Sequence, residues 1–305
     1  MPKSKKLLQR LTTSEKGIRL GLWLSQTLPT GLGHRLSRYA ADFLSKQKDN
    51  AIVEGMRVNQ WVAHDGKLTE EELHQAVQAA LRINTRCLFD FYHNLKKPER
   101  VVQLVEFSPL MEEVFQKLLR REYAAMIVAP HTSNFDMAGR ALNLRGLRFQ
   151  VLSYPQPPSG YELQNRLREE AGMEVTPMSM LAFQQARQRL SGGGVVLTGV
   201  DRAIDKGKLQ PMFFGRPSNL PVAYMQLALH AKVPVHLVHV ETIGKRYRLN
   251  CEPGFVPQPY ADRDEALVRN TEVLLRRVEE VIRAKPEDWS MTYPAWDDVL
   301  DELPH

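Results

Sequence analysis

The sequence predicts an α/β fold: a largely parallel central sheet flanked by helices, with an amino-terminal helical segment. Two patterns carry that expectation. From Tyr123 onward, short apolar runs alternate with stretches of helical periodicity, the grammar of strand–helix–strand units. Before that point the apolar residues recur at helical spacing. The chain has 305 residues, 43% of them hydrophobic and 25% charged, which suits one large domain, or one domain with a helical attachment.

Within residues 1–120, Thr69 followed by Glu72 forms a capping box, and Leu73, Val77, Ala80, Leu81 and Leu88 lie on one face of the helix it opens. Six strands are expected, at 124–129, 149–153, 173–177, 194–200, 233–241 and 247–252. Helices are expected between them at 137–144, 162–171, 181–190 and 222–230, and a long amphipathic one at 262–284 closes the pattern. The expected organisation is a basic, helical segment over 1–120 and an α/β catalytic core over 121–305, packed as one structural unit. Cys87 and Cys251 lie far apart and make neither a disulfide framework nor a zinc spacing, as expected of a reducing compartment.

The net charge of +6 is concentrated at one end. Residues 1–50 hold ten Lys or Arg, including Lys3, Lys5, Lys6 and Arg10, against three acidic residues. That segment alone is +7, so the remainder is close to neutral. A basic arm points to an anionic membrane surface or a nucleic-acid backbone. It lacks the interleaved base-stacking aromatics of a nucleic-acid binder, so no nucleic-acid partner is expected. The apolar cluster Leu20–Leu24 is far shorter than the roughly 18–20 residues a spanning helix needs. After Pro29, Leu36, Tyr39, Ala40, Phe43 and Leu44 recur with Arg35 and Arg38 interleaved. That pattern fits a helix in a membrane interface, and equally one packed on the main domain with its basic face in water.

The stretch MIVAPHTSNFD, Met126–Asp136, holds the candidate chemistry. Its apolar run is a buried strand closed by Pro130, which places His131 at the strand's carboxyl end, where open α/β sheets form ligand crevices. Ser133 or Asn134 caps the next helix, with Asp136 in its first turn. An imidazole suits the activation of a hydroxyl nucleophile, and a carboxylate on its other ring nitrogen fixes the tautomer. A histidine closing a strand end and an aspartate serving the helix dipole fit the same residues. Ser133 lacks the glycine-flanked elbow of a serine hydrolase, so a cap suits it better than a nucleophile. Asp201 and Arg202 end a second buried strand, and both strand ends would face one crevice. On a strand, His236 and His239 point to opposite faces, so no shared metal ion is expected. Trp289, Tyr293 and Trp296 suit the pinning of a terminal segment.

HTSNFD resembles the H-x4-D motif of the lysophospholipid acyltransferase superfamily. Residues from about 17 to 298 resemble its branch of bacterial late lipid A acyltransferases and mycobacterial phosphatidylinositol mannoside acyltransferases. The segments NRLREEAGMEV, GGGVVLTGVDR, PMFFGRPSNLPVAYMQLAL and PEDWSMTYPAW resemble further family segments in order. Where the family usually follows the aspartate with Gln, this chain has Arg202. The resemblance implies direct transfer of an acyl group from acyl-CoA or acyl carrier protein to a hydroxyl of a lipid or glycolipid acceptor, with no metal or organic cofactor. His131 would be the general base and Asp136 would orient it. Asn134, Arg166, Asp201 and Arg202 would bind substrate. The protein would be peripheral, on the cytoplasmic face of the cell membrane. A thioesterase or lipase using the same crevice, with water as acceptor, is the competing activity. An inert domain behind a membrane-binding arm is the non-enzymatic alternative.

Overall fold

A computed structural model describes residues 15–155, 159–204, 207–296 and 298–304. Lys3, Lys5, Lys6 and Arg10 of the basic arm lie outside the described residues. Two helices open the described chain, α1 (Glu15–Thr27) and α2 (Thr30–Ser45), followed by α3 (Ala51–Ala63) and α4 (Glu70–His93). Helix α4 starts at the expected capping box, with Thr69 and Glu72 each holding the other's backbone N–H. A short helix α5 (Pro98–Leu104), strand β1 (Val105–Phe107) and helix α6 (Pro109–Leu119) lead into the alternating half.

That half runs β2 (Ala125–Ala129), α7 (Phe135–Leu144), β3 (Phe149–Ser153), α8 (Ser159–Glu170), β4 (Glu174–Pro177), α9 (Met180–Ser191) and β5 (Val195–Gly199). A small hairpin of β6 (Met212–Phe213) and β7 (Arg216–Pro217) follows, then α10 (Ala223–Ala231), β8 (Val235–Ile243), β9 (Arg246–Cys251) and α11 (Arg263–Ala284). The seven-stranded sheet has the order β1-β9-β8-β2-β5-β3-β4. Its pairs are parallel except for β8 with β9. The α/β class and the six expected strands are therefore present, each within two residues of its expected ends. Sequence periodicity missed β1 because three residues are too few to show alternation.

The central strands are apolar on both faces. On β2, Met126 and Val128 join one core, while Ala125 and Ile127 join the other. Continuous apolar runs of this kind belong to parallel strands covered by helices on both sides. Cys87 and Cys251 are buried free thiols. His236 reaches Tyr123 and His239 faces Glu252, so the two imidazoles serve different neighbours.

Helix α2 is assembled inside out. Its buried face carries Gly33, Ser37, Ala41 and Leu44, three of them small, which lets it lie close on α4. Its large apolar residues Leu32, Leu36, Tyr39 and Phe43 recur at helical spacing and are all exposed, Tyr39 at 72%. Arg35 and Arg38 stand exposed among them, and Leu20 and Trp23 of α1 are also exposed. The packing of α2 on the protein therefore does not consume the apolar stripe. No described helix is long and apolar enough to cross a membrane.

The carboxyl-terminal segment after α11 crosses the front of α3. Asn59 of α3 donates to the carbonyls of Met291 and Tyr293 and accepts from the N–H of Ala295. A Cβ on Gly55 would sit 2.2 Å from the Thr292 carbonyl oxygen. Alanine in place of a mid-helix glycine ordinarily stabilises by about 0.5–1 kcal/mol. Gly55→Ala is expected to reverse that sign and destabilise by about 1–3 kcal/mol, the usual cost of overpacking. Thermal unfolding of the variant reads this, and an unchanged or raised Tm would show that the segment does not press on α3.

Candidate active site

Strand β2 pairs β5 in parallel register, with Ala129 opposite Gly199. Two residues further along each chain stand His131 and Asp201, so the sheet itself delivers them side by side. The His131 ring nitrogen Nδ1 lies 2.6 Å from Asp201 Oδ1, and the backbone N–H of His131 donates to Oδ2 at 2.8 Å. Trp289 Nε1 donates to the same Oδ2 at 2.8 Å. Asp201 is fully buried. Burial alone would raise its carboxyl, but the charge and hydrogen bonds of His131 and the indole N–H outweigh it and hold the group below its ordinary value. A carboxylate so held stays ionised at neutral pH, and the stability it contributes is lost only as acid carries the pH down through that lowered value.

Further contacts hold the imidazole and its loop. Phe135 meets it edge-on at 4.8 Å between ring centres. Gly199 lets it lie against the end of β5, since a Cβ there would come within 2.8 Å of His131 Cε1. The backbone N–H and the hydroxyl of Ser290 both donate to the His131 carbonyl, at 2.8 and 2.9 Å. Thr132 bridges Trp289, and the N–H of Ser133 donates to the Asp288 carbonyl. The segment 288–290 thus lies along the histidine loop like a short extra strand.

The expected pairing of Asp136 with His131 is replaced. Asp136 sits in the first turn of α7, where Arg168 of α8 meets it with Nε 2.6 Å from Oδ1 and a second nitrogen 3.2 Å from Oδ2. A two-point guanidinium clamp takes both carboxylate oxygens, while register hands Asp201 to the imidazole. Asp201, expected to bind substrate, is instead the residue on His131. Arg166 is exposed and lines neither cavity described below, whereas Arg168, two residues on, is buried and lines both.

Asn134 is buried, caps α7 by accepting from the N–H of Met137, and donates to the Cys87 carbonyl. Its polar atoms hold structure, although the residue lines a cavity wall. Ser133 is not the cap. It takes φ +47 and its hydroxyl lies 2.7 Å from that of Thr242. Cys87 lines the same cavity, but burial pushes its thiol up to about 12, so it is no ready nucleophile. Trp289 and Trp296 are buried, pinning the terminal segment as expected, but Tyr293 lines a cavity wall.

Two cavities meet at His131. The first, about 480 Å³, runs between the sheet and α7, lined by Ala138, Gly139, Leu142, Val151, Leu197 and Met173 among others. The second, about 370 Å³, lies towards α3 and α4 and is more polar, with Glu54, Asn84, Ser133, Gln164 and Thr292 in its wall. His131, Phe135, Asp136, Arg168 and Arg202 border both. Since Nδ1 is turned to the buried Asp201, the opposite ring edge, carrying Nε2, is the one that meets the cavities. Register also gives the depth of the first cavity. Phe149 stands opposite Val195, and Val195 opposite Ala125, so Phe149 lies six residues below His131, about 20 Å along the strands. Met173 immediately precedes Glu174, the partner of Gln150, and so shares that deepest level.

A family model described as bacterial lipid A biosynthesis acyltransferase matches residues 26–297. The phosphatidylinositol mannoside acyltransferase of Mycobacterium tuberculosis is 31% identical over 185 residues, covering 58% of this chain and 56% of that protein. The protein of the same name from Mycolicibacterium smegmatis is 27% identical over 183 residues, covering 58% and 59%. The chain therefore spans 56% to 59% of the length of these curated relatives. Among solved structures, the 1-acyl-sn-glycerophosphate (LPA) acyltransferase PlsC from Thermotoga maritima is 14% identical. It covers 84% of this chain and 99% of its own, at a TM-score of 0.37, and nothing about the site follows from so loose a match. The family model, by contrast, covers most of the sequence: the chain belongs to the bacterial lipid A biosynthesis acyltransferase family.

Proposed function

We propose that the protein is an O-acyltransferase that moves an acyl group from a thioester donor to a hydroxyl of a lipid or glycolipid. The observation that carries this reading is the junction at His131: a deep apolar cavity and a more polar one share an imidazole whose Nδ1 is held by a buried carboxylate. In the neutral ring Nδ1–H donates to Asp201, leaving the Nε2 lone pair to accept the proton of an acceptor hydroxyl. That oxygen attacks the thioester carbonyl carbon, the C–S bond breaks, and the imidazolium returns its proton to the thiolate. Asp201 stabilises the imidazolium between those steps. No acyl-enzyme is formed and no metal is used. The depth of the apolar cavity suits a long acyl chain, and the donor is acyl-CoA or an acyl carrier protein. The second cavity, with its own wall, suits a sugar or glycerol hydroxyl better than water alone, which favours transfer over hydrolysis.

The acceptor reaches the site from a membrane. The exposed stripe Leu32, Leu36, Tyr39 and Phe43 with Arg35 and Arg38 has the composition of an interfacial helix. Helix α4, on which α2 packs, lines the second cavity with Asn84, Cys87, Leu88 and Phe91. One helix thus separates the apolar stripe from the acceptor cavity, and the protein works as a peripheral enzyme on the cytoplasmic face.

His131→Ala is expected to lower turnover by about 10²–10⁴-fold and also to lower Tm, because it removes one of the three donors to the buried Asp201 carboxylate. Asp201→Asn should cost a similar factor in kcat, while Asp136→Asn should act mainly on KM and stability by releasing Arg168. Product analysis with and without a lipid alcohol separates the activities, and fatty acid as the sole product in both cases would favour the hydrolase. The floor of the apolar cavity gives a second test, because a Cβ on Gly139 would already lie 3.2 Å from Met173 Sδ. Gly139→Leu should shift the preferred donor towards shorter chains, read by competition among acyl thioesters, whereas an unchanged profile would place the chain elsewhere. For the surface, serine at Leu36, Tyr39 and Phe43 together should weaken binding to anionic vesicles in sedimentation and leave turnover of a soluble thioester intact; unchanged vesicle binding would refute the role of the stripe. Each Lys or Arg near such a surface is worth about 1 kcal/mol, so the basic residues alone should hold a salt-sensitive remainder.

A further inference from the structure

Arg202 follows Asp201 directly, so its backbone is anchored beside a buried carboxylate held by three donors. Its guanidinium lies 4.0 Å from the ring centre of Tyr154 and 4.0 Å from that of Tyr293. The two rings come from different parts of the chain: Tyr154 immediately follows β3, and Tyr293 belongs to the carboxyl-terminal segment. Tyr154 borders only the apolar cavity, Tyr293 only the polar one, and Arg202 borders both. The stack Tyr154–Arg202–Tyr293 is therefore a partition at the neck where the two cavities meet.

A guanidinium packed against aromatic rings keeps its hydrogen-bond donors in its own plane, in its rim of N–H groups. Such a flat, permanently charged fork, on a residue that borders both cavities, suits the oxygens of a phosphate, which accept it at two points. We propose that Arg202, held in plane by Tyr154 and Tyr293, recognises a phosphate group of a substrate at this neck, and that the two tyrosines are its positioning residues. On the acyl-transfer reading, on which this inference rests for its ligands, phosphate arrives from two sources. The phosphopantetheine arm common to coenzyme A and carrier-protein donors carries one. The phosphodiester of a phospholipid acceptor carries the other.

The test measures binding without turnover, so it stands apart from the question of whether acyl transfer occurs. The donor probes are the alkyl thioethers of 4′-phosphopantetheine and of pantetheine, which differ only in the phosphate. The acceptor probes are vesicles of neutral lipid containing either phosphatidylinositol or an uncharged monoglycosyl diacylglycerol. Arg202→Gln is expected to weaken binding of a phosphate-bearing probe by about 10–100-fold, the loss typical of a charged hydrogen-bonding pair, and to leave the phosphate-free probe unchanged. A loss confined to the phosphopantetheine thioether assigns the donor phosphate, and a loss confined to the phosphatidylinositol vesicles assigns the acceptor's. Tyr154→Leu and Tyr293→Leu should each reproduce part of the same selective loss while Tm stays close to that of the parent, and Arg202→Lys should recover only a fraction of it. Equal weakening of both members of a probe pair, or no weakening of any probe, would overturn the proposal. Full recovery by lysine would overturn the role of the planar clamp.

Discussion

The register of two neighbouring parallel strands determines this site. Because β2 and β5 align Ala129 with Gly199, the residues two positions beyond each strand end are brought together, and these are His131 and Asp201. Burying a carboxylate completely costs several kcal/mol unless donors replace its water. Here the imidazole, the His131 backbone N–H and the Trp289 indole replace it. The fold around this point supplies those donors. The terminal segment returns across the front of α3 to bring Trp289 in, and Ser290 and Asp288 hold the histidine loop in place. A shift of one residue between β2 and β5 would separate His131 from Asp201.

From that fixed imidazole the molecule opens in two directions of unlike chemistry. The apolar cavity follows the strands downward beneath α7, while the more polar one is walled by α3, α4 and the terminal segment. Asp136 belongs to the shared border: its clamp with Arg168 ties α7 to α8. On the outer side of α4, helix α2 packs with its small residues inward and its large apolar residues outward. Such an arrangement leaves the apolar stripe exposed, available to a partner surface.

Much of the fold was legible in the sequence, since apolar runs and helical periodicity report burial directly. The six longer strands and the helices between them follow from Tyr123 onward, and Asp262 caps α11 where the pattern begins. The strands β1, β6 and β7 have two or three residues each, too few for any period. In the site, His131 at a strand end and Asp201 at a neighbouring strand end were both legible. Their pairing was not, because strand order is a long-range property that no local motif encodes. Proximity in sequence favoured Asp136, which lies five residues from His131, over Asp201, which lies seventy away. Arg166 came from the resemblance of NRLREEAGMEV to a family segment; only helix packing shows which of two arginines on α8 turns inward. Asn134 and Ser133 were both plausible caps, and the positive φ of Ser133 leaves that task to Asn134. The outward face of α2 was ambiguous in sequence, since apolar periodicity marks a stripe without saying what covers it.

The central claim, that His131 and Asp201 act as one unit and Asp136 does not belong to it, is tested most directly by two double-mutant cycles on transfer rate. If Asp201 acts only through the imidazole, His131→Ala combined with Asp201→Asn should be no slower than His131→Ala alone. In the second cycle, His131→Ala and Asp136→Asn should combine as independent losses. The reverse pattern, additivity with Asp201 and non-additivity with Asp136, would contradict the claim and return the orienting role to Asp136.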